Sequence, residues 1–481
     1  MKRFFIIIYG VLSFAFLLAD DFLVYDGSGV QQSPSAEWNG TYYLVAWENQ
    51  YNGDIEAQRL QKVPPYLVGS MITVSSSGTA LKVPDMDSDG NRWLIVYEYH
   101  LTSPATWAIY SRIVNNDGTL GTESNLSGDG GSGQEKYNPG VGFNSSTSQY
   151  LAVWKENSDY DIDGRLVNSS GLPVGNVISD ILSASSGEYS NPRVASNGTN
   201  YLVVADYNFG YEIHGRIVSS DGVPQGNIIN IGSGGYWGQP DVASNGNNYL
   251  VVWSDGGSTI KGRLVNPDGT MGSIINISSG AVSAGKPRVD WYSKGNRYLV
   301  VWEDKRSGTY TFIYGQLVKP DGTLDGTNRK VTAGTTAHQY MPVTAGGDTT
   351  LVAWQDLRDD ANGDIWANLG GLLGEYEYPP KWKEKTEFKI AFNLKKVEPN
   401  PAKEFTRIYY SIAKPCHVKI YVYDKKGSLV KKIVDEYKPQ GIYREFWGIC
   451  DENNNLLCDG EYFIKFEAGK YKETKKILIL K

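Results

Sequence analysis

Cysteine, histidine and methionine are all scarce in this chain, at three, four and five residues among 481. Four histidines (His100, His214, His338, His417) leave little material for a histidine-rich metal site or a histidine-based nucleophilic triad. The cysteines (Cys416, Cys450, Cys458) fall near the C-terminus without zinc spacing. Helical periodicity is nearly absent. Beyond the N-terminal segment, no apolar run is long enough to cross a bilayer.

What is present is a repeat rich in glycine (54) and tyrosine (33). Seven times, about every 50 residues, an aromatic residue leads an aliphatic run that usually ends in tryptophan. The copies are Tyr43-Leu-Val-Ala-Trp47, Trp93-Leu-Ile-Val-Tyr97, Tyr150-Leu-Ala-Val-Trp154, Tyr201-Leu-Val-Val-Ala205, Tyr249-Leu-Val-Val-Trp253, Tyr298-Leu-Val-Val-Trp302 and Thr350-Leu-Val-Ala-Trp354. A proline precedes each copy (Pro34, Pro84, Pro139, Pro192, Pro240, Pro287, Pro342) and reads as the first residue of an inner strand. Turns such as Ser196-Asn-Gly198 join that strand to the aromatic run. A third strand follows (Gly215-Arg-Ile-Val218), then an Asp-Gly turn and a fourth strand (Asn227-Ile-Ile-Asn-Ile231). Four antiparallel strands repeated seven times predict an all-β, seven-bladed β-propeller. Phe22-Leu-Val-Tyr25 supplies the strand missing from the seventh blade and closes the ring, with Gly371–Tyr376 as the rival for that place.

The predicted organisation is a secretory signal peptide at 1–19, cleaved after Ala19, a propeller at 20–376, a linker at 377–390 and a C-terminal β domain at 391–481. Charge separates the two halves. From Pro380 onward there are 22 Lys/Arg against 14 Asp/Glu, and before it 24 against 39. An acidic body argues against nucleic acid as its ligand. Cys450 and Cys458 flank a candidate hairpin turn, so they read equally well as a disulfide or as free thiols.

The tail contains Val397-Glu-Pro-Asn-Pro401, Val422-Tyr-Asp424-Lys-Lys-Gly427, Trp447-Gly-Ile, Gly460-Glu-Tyr462 and a basic-aliphatic last strand, Lys475-Lys-Ile-Leu-Ile-Leu-Lys481. In these motifs it resembles FlgD-type immunoglobulin-like domains and the related C-terminal sorting domains of type IX secretion. Trp447-Gly-Ile departs from the usual Trp-Asp-Gly turn of those families. The resemblance implies an immunoglobulin-like β-sandwich that serves as a sorting signal or a structural module. The repeats resemble bacterial extracellular propellers in general, without a signature that names an activity.

Recognition is expected on the face carrying the blade-to-blade loops and the loops between second and third strands. The candidate ligand-binding residues there are Tyr99, Trp107, Tyr207, Tyr211, Tyr236, Trp237, Tyr310 and Tyr340. Such side chains also serve to cover blade edges. The expected partner is a glycan or an extracellular protein, with no cofactor, no metal, no nucleic acid and no membrane span after signal cleavage. Asp85, Arg193, Asp241 and Arg288 follow the prolines and read as an ion-pair ring around the channel. The recurrent Arg59, Arg112, Arg165, Arg216 and Arg263 read as scaffold, with Glu48, Glu98, Glu156, Asp206, Asp255, Asp304 and Asp356 as natural partners. Asp85-Met-Asp-Ser-Asp-Gly90 imitates a calcium loop but reads as an ordinary turn, and Asp356–Asp364 is a weak oxygen-rich loop. The alternatives to a binding protein are a glycan-active enzyme, with Asp85, Asp241 and Asp304 as its first candidates, and a purely structural surface protein.

Overall fold

The computed structural model describes residues 21–370 and 392–480, except 28, 64–65, 77–79, 103–104, 129–133, 184–185, 236–237, 257–258, 333–337, 359–362, 404, 415, 439–440 and 453–454. The signal peptide, the linker and the rival strand Gly371–Tyr376 therefore lie outside the described residues. The chain divides into two compact units, Met1–Tyr376 and Glu377–Lys481.

The first unit is a β-propeller of seven four-stranded antiparallel sheets. Its second strands carry the aromatic repeat and are buried on both faces. Alternation along a strand explains how one run serves two neighbours. In blade 1, Tyr43, Val45 and Trp47 pack back against Val343, Leu351 and Ala353 of blade 7. Leu44 and Ala46 point the other way and pack against Trp93, Ile95 and Tyr97 of blade 2. Each further pair of adjacent blades shares a cluster of the same kind. The leading tyrosines also reach across the seam. Tyr43, Tyr249 and Tyr298 donate their hydroxyls to Thr349 O (2.7 Å), Asn200 O (2.9 Å) and Asn248 O (3.1 Å) of the preceding blades.

The ring closes as the sequence predicts. Phe22–Tyr25 pairs antiparallel with Asp364–Leu369 and completes blade 7. A buried ionic knot holds this seam. Arg358 donates to Asp21 Oδ2 (2.8 Å) and Asp356 Oδ2 (2.6 Å), and Asp356 also accepts from Trp354 Nε1 (2.7 Å). Blade 6 repeats part of this device, with Asp304 accepting from Trp302 Nε1 (3.0 Å) and Arg306 (2.6 Å).

Two expectations need correction. Six of the seven prolines stand inside the inner strand rather than at its start, and only Pro240 precedes its strand, Asp241–Ser244. Those six mark a β-bulge where the ladder register shifts. The residue before each of the seven prolines (Ser33, Val83, Asn138, Asn191, Gln239, Lys286, Met341) has φ between 47° and 51°. The second correction concerns the arginine row. Its partners are backbone carbonyls. Arg112 donates to Gly121 O and Val74 O, Arg165 to Gly175 O and Leu126 O, and Arg263 to Gly272 O and Ile231 O. Each of these three ties the outer part of its own blade to that of the preceding blade, whereas Arg59 donates to Asn116 O (2.6 Å) of the following blade. The acids that were their expected partners act elsewhere: Glu98 accepts from Asn138 N (2.8 Å) and holds a positive-φ residue of the next blade.

The second unit is a two-sheet sandwich. Three strands (Asn393–Glu398, Phe405–Ile412, Gly441–Gly448) face four (Cys416–Asp424, Leu429–Lys438, Gly460–Ala468, Tyr471–Ile479). Leu394, Ile408, Tyr410, Ile420, Trp447, Phe466 and Ile477 form its core. Cys416, Cys450 and Cys458 form no disulfide with one another.

Deleting Asp21–Tyr25 removes the closing strand and leaves Arg358 with one carboxylate. The truncated protein is expected to melt at least several degrees lower and to self-associate through the freed edge of blade 7. Thermal unfolding with size-exclusion chromatography checks this. Asp304→Ala strands Arg306 and the Trp302 indole and is expected to cost about 3 kcal/mol in chemical denaturation.

Candidate functional site

On an up-and-down blade, the blade-to-blade loops and the loops between second and third strands share one face. The predicted aromatics fall there in three patches. Tyr99 stacks on Tyr110 (4.3 Å between ring centroids), while Trp107 packs between His100 (4.9 Å) and Tyr137 (6.3 Å) with Lys82 Nζ over its ring. Tyr207 stacks on His214 (4.6 Å) beside Tyr189. Tyr310 and Tyr340 flank His338, and Lys286 lies over Tyr340. In all three patches the aromatics are half-buried against one another. Tyr211 differs and is 57 % exposed. Tyr236 and Trp237 lie outside the described residues.

Among the described propeller residues, the well-exposed aromatic side chains are Tyr51 (76 %), Tyr160 (43 %), Phe209 (48 %) and Tyr211 (57 %). All four stand in loops between second and third strands. Blades 3 and 4 bring three of them into one neighbourhood. Tyr189 N donates to Tyr160 O (2.8 Å), Asn208 N donates to Glu188 O (3.0 Å), and Lys155 ion-pairs with Glu188 while lying over the Tyr160 ring. The turn is held in shape by Asn208 and Phe209, with φ of 50° and 61°. Phe209 and Tyr160 stood among the loop aromatics of the sequence without being singled out. Their distinction is exposure, which sequence does not reveal.

The inner strands enclose a central channel with a cavity of about 560 Å³. Apart from Lys286, its charged residues lie in two tiers one pleat apart. The upper tier holds Asp85, Arg193, Asp241 and Arg288, brought together as expected. Asp241 Oδ1 lies 4.0 Å from Arg193 Nε, and its other oxygen accepts from Val289 N (2.8 Å). The lower tier holds Glu37, Asp87 and Asp290, which the sequence reading missed. Asp87 Oδ2 accepts from Phe143 N (2.6 Å), and Asp290 accepts from Gly346 N. The other lower-tier positions are Gly142, Ala195, Ala243 and Ala345, so the acids face small side chains. Burial and then mutual repulsion push Glu37 well above the usual carboxylate range. Burial pushes Asp87 and Asp290 up to about 7, against the backbone N–H groups that favour their ionised forms. Burial also raises Asp241, partly offset by Arg288 and Arg193. Asp304 is not part of this channel; it is sealed beneath Arg306.

The calcium-like string is an ordinary strand and turn, with Asp89 Oδ1 accepting from Asn91 N and Arg92 N. Most of the second string, at 359–362, lies outside the described residues. Among the described residues, one carboxylate trio (Asp159, Asp161, Asp180) has ligand atoms within 4.8 Å of one another, outside the channel.

The raised lower-tier groups bind protons on folding that the unfolded chain does not hold above its own carboxylate range. Their stabilising contribution is present at acid pH and is lost as pH rises from about 4 through about 7. Wild-type protein is therefore expected to melt several degrees higher at pH 5.5 than at pH 8, and the double substitution Asp87→Asn, Asp290→Asn is expected to flatten that slope. Thermal unfolding across pH checks both.

Comparison with known proteins yields one family match. Residues 396–480 match the secretion system C-terminal sorting domain. No curated protein matches the chain. Among solved structures, a protein of unknown function from Dyadobacter fermentans DSM 18053 is similar at 11% identity, covering 73% of this chain and 97% of its own, with a TM-score of 0.43. An α-L-arabinanase of Penicillium chrysogenum, solved with arabinobiose, gives the same four values. The acylaminoacyl peptidase of Pyrococcus horikoshii is similar at 9% identity, covering 80% of this chain and 57% of its own, with a TM-score of 0.41. Residues 396–480 thus carry the sorting domain of type IX secretion, which directs this β-propeller protein to the cell surface or the extracellular space.

Proposed function

We propose that the propeller is an extracellular binding module that recognises a glycan or a protein partner through the loops joining second and third strands. The observation that carries this reading is the confinement of the well-exposed propeller aromatics, among described residues, to that one loop class. An exposed aromatic ring loses hydration favourably against a sugar face or an apolar side chain, at little conformational cost. Tyr160, Phe209 and Tyr211 supply rings on adjacent blades. Lys155 and Glu188 supply polar contacts beside them. The half-buried patches at Tyr99, Trp107, Tyr207, Tyr310 and Tyr340 border that surface and support its loops.

A second reading, a glycan-active enzyme, is favoured by the raised carboxyl groups of Glu37, Asp87 and Asp290 in one channel. A carboxylic acid that stays protonated near neutral pH is what a general acid requires. Hydrolysis or elimination on a polysaccharide panel would support it, and inactivity across the panel removes it.

On glycan and envelope-protein arrays, the mature protein is expected to bind. Phe209→Ala and Tyr211→Ala are each expected to weaken binding about tenfold, or ~1.4 kcal/mol. Binding that survives both changes together with Tyr160→Ala would place recognition elsewhere.

A further inference from the structure

The channel contains a guanidinium and a carboxyl group that the fold leaves largely unused. Arg288 lies in its wall, and burial pushes its guanidinium below the ordinary arginine value. Its one hydrogen bond runs from Nη1 to the carbonyl of its own neighbour, Pro287 (3.1 Å), and it forms no close ion pair. Arg193, by contrast, reaches Asp241 and two backbone carbonyls. One pleat lower, Glu37 uses a single oxygen, which accepts from Trp38 N (2.8 Å). Its other oxygen takes no hydrogen bond from any described residue. Glu37 stands in the same tier as Asp87 and Asp290, with no basic side chain at that level to balance the three.

The blade between these two groups leaves room. Arg288 belongs to blade 6 and Glu37 to blade 1. Blade 7 lines the channel between them with Met341, Pro342, Val343, Thr344 and Gly346, none of them charged. Residues two apart on a strand are separated by about 7 Å along it, so the Arg288 guanidinium and the Glu37 carboxyl group differ in depth by about that distance. The channel carboxylates are not drawn together into a compact ligand set of the kind seen at Asp159, Asp161 and Asp180. That spread disfavours a bare metal ion. It suits an ammonium group, which donates to one or two carboxylates and reaches a third through water.

We propose that the central channel binds a small zwitterion with well-separated charges, of the kind a free dipeptide carries, with its carboxylate on Arg288 and its ammonium at Glu37, whose carboxyl group releases its proton to solvent as the ammonium docks. Asp87 and Asp290 flank the ammonium. With Arg288, the residues Asp85, Arg193 and Asp241 make an upper tier of two acids and two arginines. The cavity of about 560 Å³ admits a molecule of this size with accompanying water. This site is separate from the aromatic loops.

The test is isothermal titration calorimetry on the mature protein at neutral pH, with glycylglycine as the probe. Saturable binding is expected. N-acetylglycylglycine and glycylglycinamide, which each lack one charge, are expected to bind at least about tenfold more weakly. Glycine, whose charges lie too close together, should do the same. In Glu37→Gln the preference for the free amine disappears, and in Arg288→Gln the preference for the free carboxylate disappears. Circular dichroism confirms that both variants fold, and the blocked ligands test the proposal on wild-type protein regardless. Tyr211→Ala leaves glycylglycine binding unchanged, which separates this site from the loop face. Absence of glycylglycine binding, equal binding of the charged and blocked dipeptides, or binding indifferent to both channel substitutions would overturn the proposal.

Discussion

Every blade depends on its second strand burying both faces at once. A strand in that position has no solvent side, so its central aliphatic run carries no polar residues. Tyr43, Val45 and Trp47 serve one neighbour, and Leu44 and Ala46 serve the other. Burying a side chain of this size contributes roughly 1.5–3 kcal/mol, and the seven runs repeat that contribution around the ring. The arginine row and the tyrosine hydroxyls then bind most of the seams through backbone carbonyls. Because these supports are spread over all blades, the loops above them are free to differ.

The features of the fold that recur were legible in the sequence, because recurrence is what repeated packing imposes. The aromatic runs and the Asn-Gly and Asp-Gly turns located the strands. The match of Phe22–Tyr25 to a missing fourth strand gave the closure. Bulges were misread because a proline at a bulge and a proline at a strand start produce the same local pattern. The arginine partners were misread for a different reason. A carboxylate nearby in sequence is visible, whereas a carbonyl on the preceding blade is not.

The candidate sites were legible only in part, and the cause is the opposite of recurrence. Asp85, Arg193, Asp241 and Arg288 stand one residue after the prolines and could be aligned. Glu37, Asp87 and Asp290 occupy one position on three blades, where the other four carry glycine or alanine. Their importance comes from meeting across a channel, a relation between distant segments. The same holds at the loop face. Phe209 and Tyr160 are ordinary loop aromatics in the sequence and become distinctive because they stay well exposed, while Tyr99 and Tyr110 cover each other.

The seam of the seventh blade joins residues far apart in the chain, with Asp21 and Arg358 separated by 337 positions. Drawing such distant segments together costs about 5 kcal/mol of chain entropy before any contact there compensates. Translation delivers the chain from one end. Until the last sheet emerges, six assembled sheets must wait with two bare flanks, a state prone to sticking to its own kind. The slowest and most hazardous moment in the life of this molecule is thus its final circularisation, and chaperoning before that moment has more effect than any single interior contact afterwards.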